Sequence, residues 1–120
     1  MTSPTVGGPQ RALIVDALST VAGLSPSPVT PAPIVAGSAW PGWFETTWAN
    51  ACVKVSQFYV FVALPSGQEG ASVDAGDQLV DDVAEVLWPV GHVLRVEPWQ
   101  WPVEPGQQAV PVLRFTLEVM

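Results

Sequence analysis

Gln57-Phe-Tyr-Val-Phe-Val-Ala-Leu-Pro65 contains the longest unbroken apolar run in the chain. Its residues are mostly β-branched or aromatic, and Pro65-Ser-Gly67 closes it with a turn signal, which favours a buried strand over a helix. Alternation puts Val60, Val62 and Leu64 on one side and Tyr59, Phe61 and Ala63 on the other. A strand that is apolar on both sides needs cover on both.

The cover is sought outward from this strand. After it comes a polar loop, residues 65–70, with two glycines. A helix is predicted from Ser72 or Asp74 to Trp88, because Leu79, Val83, Val86, Leu87 and Val90 recur at helical spacing. Asp77, Asp81, Asp82 and Glu85 occupy its opposite side, and Asp74 and Asp77 lie in its first turn, where carboxylates suit the positive helix end. Pro89 and Gly91 stop it. His92–Trp101 reads as a strand, with Pro98 and Pro102 marking an edge. Pro105-Gly106 is a turn, and Ala109–Val119 is a final strand. That strand sets Leu113, Phe115, Leu117 and Val119 on one face and Val112, Arg114, Thr116 and Glu118 on the other.

On the other side of the run, Cys52 or Val53 opens the central strand. Before it lie Trp40, Trp43, Phe44 and Trp48, around a turn at Pro41-Gly42. These aromatics suit either a satellite core or an exposed anchor patch. Ile34–Ala39 reads as a short strand. Leu24–Ala36 carries prolines at 26, 28, 31 and 33, which prohibits a helix and any central strand and predicts an extended strap. A first helix is expected over residues 9–22, with Leu13, Ile14, Ala17, Leu18 and Val21 on one face and Gly23 just past its end. Residues 1–8 read as a loose arm.

The elements add up to one α+β domain over residues 1–120. Its architecture is a mostly antiparallel sheet with two helices on one face. Only 12% of the residues are charged, about half the usual share, while the chain holds 13 prolines and 6 tryptophans. So little polar surface points to an oligomer or a permanent partner. With 4 Lys+Arg against 11 Asp+Glu, a nucleic-acid-binding groove and an anionic membrane surface are both disfavoured. No run approaches a membrane span, and no signal peptide is indicated.

Catalytic chemistry finds no foothold. His92 is the only histidine and Cys52 the only cysteine, which leaves no thiolate metal cluster, no disulfide within the chain and no triad partner set. Cys52 is expected to be a buried, inert thiol. No phosphate-binding glycine motif occurs. The carboxylates Asp74, Asp77, Asp81, Asp82 and Glu85 are read as a solvated face or as a like-charged wall that repels polyanions; their helical spacing does not fit a calcium loop. No catalytic, cofactor or metal site is expected.

The order of the pieces resembles the tail terminator proteins of long-tailed (siphovirus-type) phages of actinobacteria. The likeness rests on the helix from Arg11 to Val21, Gly37-Ser-Ala-Trp-Pro41, Val62-Ala-Leu-Pro-Ser-Gly67, the acidic helix Asp77–Trp88, Val93-Leu-Arg-Val-Glu-Pro98 and Val110-Pro-Val-Leu-Arg-Phe115. It spans nearly the whole chain. The resemblance implies a non-enzymatic virion protein of the tail and neck, assembled in the host cytoplasm. Such proteins form a six-membered ring that caps the tail tube, stops its polymerisation and docks the head-closure or connector protein. DNA passes through the bore without specific binding. Under this reading Trp40, Trp43, Trp48, Gln68 and Glu69 are candidate contacts with neighbouring subunits or partners, as are the N-terminal arm and the loop over residues 65–76. Glu69, Asp74, Asp77, Asp81, Asp82 and Glu85 are the candidate acidic surface or bore lining. The alternatives are another head–tail connector protein, or a small ligand-binding α+β domain that uses the tryptophans as a pocket.

Overall fold

The computed structural model describes residues 8–64, 69–101 and 110–119. The elements run α1 (Gly8–Leu18), β1 (Ser25–Pro26), β2 (Ser38–Asn50), β3 (Val53–Ala63), α2 (Glu69–Leu87), β4 (His92–Trp101) and β5 (Val110–Val119). The strands form one five-stranded sheet in the order β1-β2-β3-β5-β4. All pairs are antiparallel except β1–β2. The quoted run therefore lies at the centre, and the α+β architecture is as expected.

Both faces of β3 are buried, by different means. Phe58, Val60 and Val62 join Ala39, Leu113, Phe115 and Leu117 beneath Ile14 and Leu18 of α1 and Val83 and Leu87 of α2. Both helices thus cover the same face. The opposite face holds a second core of Trp40, Phe61, Ala63 and Val112, with Ile34, Tyr59, Trp101 and Val110 packed around it. Each large apolar side chain so buried contributes about 1.5–3 kcal/mol.

Several boundaries differ from the sequence reading, each for a local reason. Helix α1 stops at Leu18, not near 22. The Ser19 and Thr20 hydroxyls donate to the carbonyls of Asp16 and Ala17, at 2.6 and 2.7 Å, and satisfy groups that a further turn would have used. Leu13, expected on the inner face, is exposed. Helix α2 begins at Glu69, so residues 69–76 are helical backbone and not loop. The strap does not simply cross the sheet. It pairs Ser25 and Pro26 with Ser38 and Ala39 and returns. The N–H groups of Ser25 and Ser27 donate to Gly37 and Ala39, so Pro26 takes the intervening position, where a strand N–H would point away from its partner.

The largest departure is β2. Pro41-Gly42 does not turn the chain; it forms a bulge within a strand of 13 residues. A Cβ on Gly42 would lie 2.2 Å from the Phe61 ring, so glycine is what lets that ring sit against the strand. The Arg11 guanidinium donates to the carbonyls of Pro41 and Gly42, at 3.1 and 2.9 Å, tying the start of α1 to the bulge. The turn between β2 and β3 is held by Asn50, whose Oδ1 accepts from the N–H groups of Cys52 and Val53 at 2.8 and 3.1 Å. Cys52, expected to be buried, is exposed at this turn.

Candidate interaction surfaces

Three surfaces stand out: a projecting arm, an arginine-bearing sheet face and an acidic helix stripe. The arm is the outer part of the β2–β3 hairpin. Among the described residues, β3 meets β5 from Ser56, opposite Val119, onward, so residues 47–55 run past the sheet as a two-stranded ribbon. Trp48 is 62% exposed on it, and Val53 is exposed as well. The molecule is accordingly elongated, with extents of 49 × 30 × 25 Å and a radius of gyration of 14.9 Å; a compact chain of this length has about 13.6 Å. A two-stranded ribbon alone is marginal in water.

The second surface is the sheet face away from the helices. A bulge at Leu94 makes Val93 and Val96 both face the helix side, and it delivers Arg95, Glu97, Trp99 and Trp101 to the other face, opposite Thr116, Arg114, Val112 and Val110. Arg114 donates through Nε to Glu97 Oε1 at 3.1 Å and again through Nη2. Its guanidinium lies 4.1 Å from the centroid of the Trp99 ring and 4.7 Å from that of Tyr59, a cation–π arrangement. Arg95 reaches the same carboxylate oxygen only at 3.7 Å and stays 63% exposed. Beside this cluster lies a groove of about 660 Å³ walled by Pro28, Val29, Phe61, Trp99 and Trp101, with Arg11 and Arg114 at its margins.

The Arg114 hydrogen bonds hold the Glu97 carboxyl below its ordinary range; partial desolvation works against this, and the charges of Arg114 and Arg95 reinforce it. A lowered carboxyl stabilises the fold above its unfolded value, near 4.3, and that contribution fades as pH falls through the lowered native value. Glu97→Gln is therefore expected to lower the melting temperature at neutral pH and to match the parent in strong acid. A melting difference that is unchanged from pH 7 to pH 2 would show that the ion pair contributes nothing.

The third surface is the outside of α2. Asp77, Asp81, Glu85 and Trp88 follow one another at helical spacing; all four are exposed, Trp88 by 64%. Trp88 stands edge-on to the His92 ring at 5.3 Å. Asp82 is half-buried beside the stripe and accepts from Gln78 Nε2 at 3.1 Å.

The structure separates the residues singled out in the sequence. Trp40 is a correction: it is fully buried, stacked on Phe61 at 5.6 Å and edge-on to Trp101 at 5.3 Å, and has no surface to offer a neighbour. Trp48 is on the arm. Trp43 lies in the β2 backbone, but its side chain, like those of Glu69 and Asp74, lies outside the described residues, as do Gln68 and residues 1–7 of the expected arm, whose last residue, Gly8, instead opens α1. Asp77, Asp81 and Glu85 do share a face. The sequence reading passed over Arg95, Glu97, Trp99 and Trp88. The two-residue alternation from Arg95 to Trp101 was the available signal for the first three, and Trp88 falls in step with Asp77 and Asp81.

Among the described residues, no three His, Cys, Asp or Glu side chains converge as a metal site would require, and no helix is long and apolar enough to cross a membrane. No protein-family model matches the chain, and no curated protein does.

Proposed function

We propose that this chain is a structural subunit that works by joining copies of itself into a ring, as a tail terminator that caps the tail tube of a long-tailed phage and receives the head-closure protein. The observation that carries the reading is the β2–β3 arm. A ribbon that carries exposed Trp48 and Val53 beyond its own sheet is stabilised by what it meets outside the monomer. A charge-poor surface with exposed tryptophans in three separate places supports the same reading, since a closed ring needs different surfaces on the two sides of each subunit. With a net charge of −7 on each chain, the ring would repel phosphate and let DNA slide through. Either the Asp77–Glu85 stripe of α2 or carboxylates elsewhere on the chain would face that bore.

The test is the solution mass of the purified chain, together with electron microscopy of the chain mixed with tail tubes. A single oligomer of defined stoichiometry that binds tube ends and halts tube growth is the expected outcome. A chain that stays monomeric at high concentration and ignores tube ends would end the reading. Another neck component would form a ring yet bind the head side alone.

The groove beside Trp99 favours one other reading, a small-ligand site with aromatic walls. Against it, the two guanidinium groups at its margins are already engaged by Pro41, Gly42 and Glu97.

A further inference from the structure

We propose that adjacent subunits meet by docking the acidic stripe of α2 on one copy against the arginine face of the next. The inference rests on the ring reading above and names its two contact surfaces.

The first support is placement. A head-to-tail contact needs two distinct patches on one subunit. Here α2 packs on one face of the sheet, while Arg95 and Arg114 project from the other.

The second is charge. Among the described residues no cation lies within ion-pair range of Asp77, Asp81 or Glu85. On the arginine face, Glu97 and Glu118 balance Arg95 and Arg114, but Arg95 stays 63% exposed and reaches Glu97 Oε1 only at 3.7 Å, so its guanidinium is open to a further carboxylate. Arg95 is thus an exposed cation of the kind the stripe lacks.

The third is dimension and chemistry. From Asp77 to Trp88 the helix advances about 16 Å, and from Arg95 to Trp99 the strand advances about 14 Å. Both stripes end in an exposed tryptophan, Trp88 just past the end of α2 and Trp99 at the groove. The charges set the register, and Trp88 supplies the apolar anchor that such contacts use. This places the α2 acids between subunits and leaves the bore to other carboxylates.

The test is charge reversal read by sedimentation equilibrium. Asp81→Arg and Arg95→Glu each alter an exposed residue, and circular dichroism checks that each variant folds. Each variant alone is expected to associate more than about tenfold more weakly than the parent, because like charges then face each other. Mixing the two variants restores association, since every contact in an alternating ring again pairs opposite charges. The double variant Arg95→Glu/Asp81→Arg restores it in a single chain. If the parent forms its ring and both single variants assemble as tightly, the contact lies elsewhere while the ring reading stands. If the single variants fail but neither the mixture nor the double variant recovers, the two patches do not meet each other. If the parent does not self-associate at all, the ring reading fails and takes this one with it.

Discussion

Trp40→Ala is expected to lower the unfolding free energy by about 3–5 kcal/mol, the range for emptying a large aromatic site in a core. That is a large part of the roughly 5–15 kcal/mol a domain of this size holds. The indole is fully buried between Phe61 and Trp101, so its removal strips contacts from both rings and opens a cavity on the face the helices do not cover. Trp40→Phe separates two effects. Among the described residues the buried Trp40 Nε1 group has no hydrogen-bond partner, and an unsatisfied buried donor costs about 1–3 kcal/mol. Phenylalanine loses some volume but also removes that donor, so its cost should be less than half that of alanine. Urea denaturation of the three proteins gives the comparison. A phenylalanine variant as unstable as the alanine one would mean that the indole N–H has a partner after all. An alanine variant with an unshifted midpoint would remove Trp40 from the core.

Gly37→Ala is expected to cost about 2–5 kcal/mol, more than almost any other substitution of comparable size. Two terms add. Gly37 has φ of +87°, where an L-residue is strained by about 1–3 kcal/mol. In addition, a Cβ there would stand 2.6 Å from the Gly23 carbonyl oxygen. That obstacle is backbone, so relief must shift β1 away from β2. The shift would put at risk the bonds from Ser25 N to Gly37 O and from Ser27 N to Ala39 O, at 2.9 and 2.8 Å. Each such bond contributes about 0.5–1.5 kcal/mol net. Gly23→Ala is the control: Gly23 has nearly the same φ, +86°, with nothing within 4 Å of its added Cβ. It should lose only the strain term. Equal losses in the two variants, read from denaturation midpoints, would show that the close approach is not part of the stability of the strap.

The acidic stripe was legible because the helix period places Asp77, Asp81 and Glu85 together without reference to any other element. The arm was not. Pro41-Gly42 reads locally as a stop, and only Phe61, reaching across from β3, gives that dipeptide a reason to stay within a strand. Arg11, 30 residues before Pro41, then takes up the bulge carbonyls. The arginine face was hidden for a similar reason. Strict alternation along His92–Trp101 cannot turn both Val93 and Val96 to the helices; the Leu94 bulge does so and sends Arg95 to the opposite face.

What the chain order alone determined was the central apolar strand, its two faces, the acidic helix, the edge position of β4 and the α+β arrangement with both helices on one side. These follow from periods of 2 and 3.6 residues and from proline's missing donor, all of them properties of neighbours in sequence. Which tryptophan is buried, where the strand bulges fall and which charges share a face were decided only in three dimensions. Each depends on the volume or hydrogen-bonding demand of a residue far away along the chain, and no local pattern carries that information.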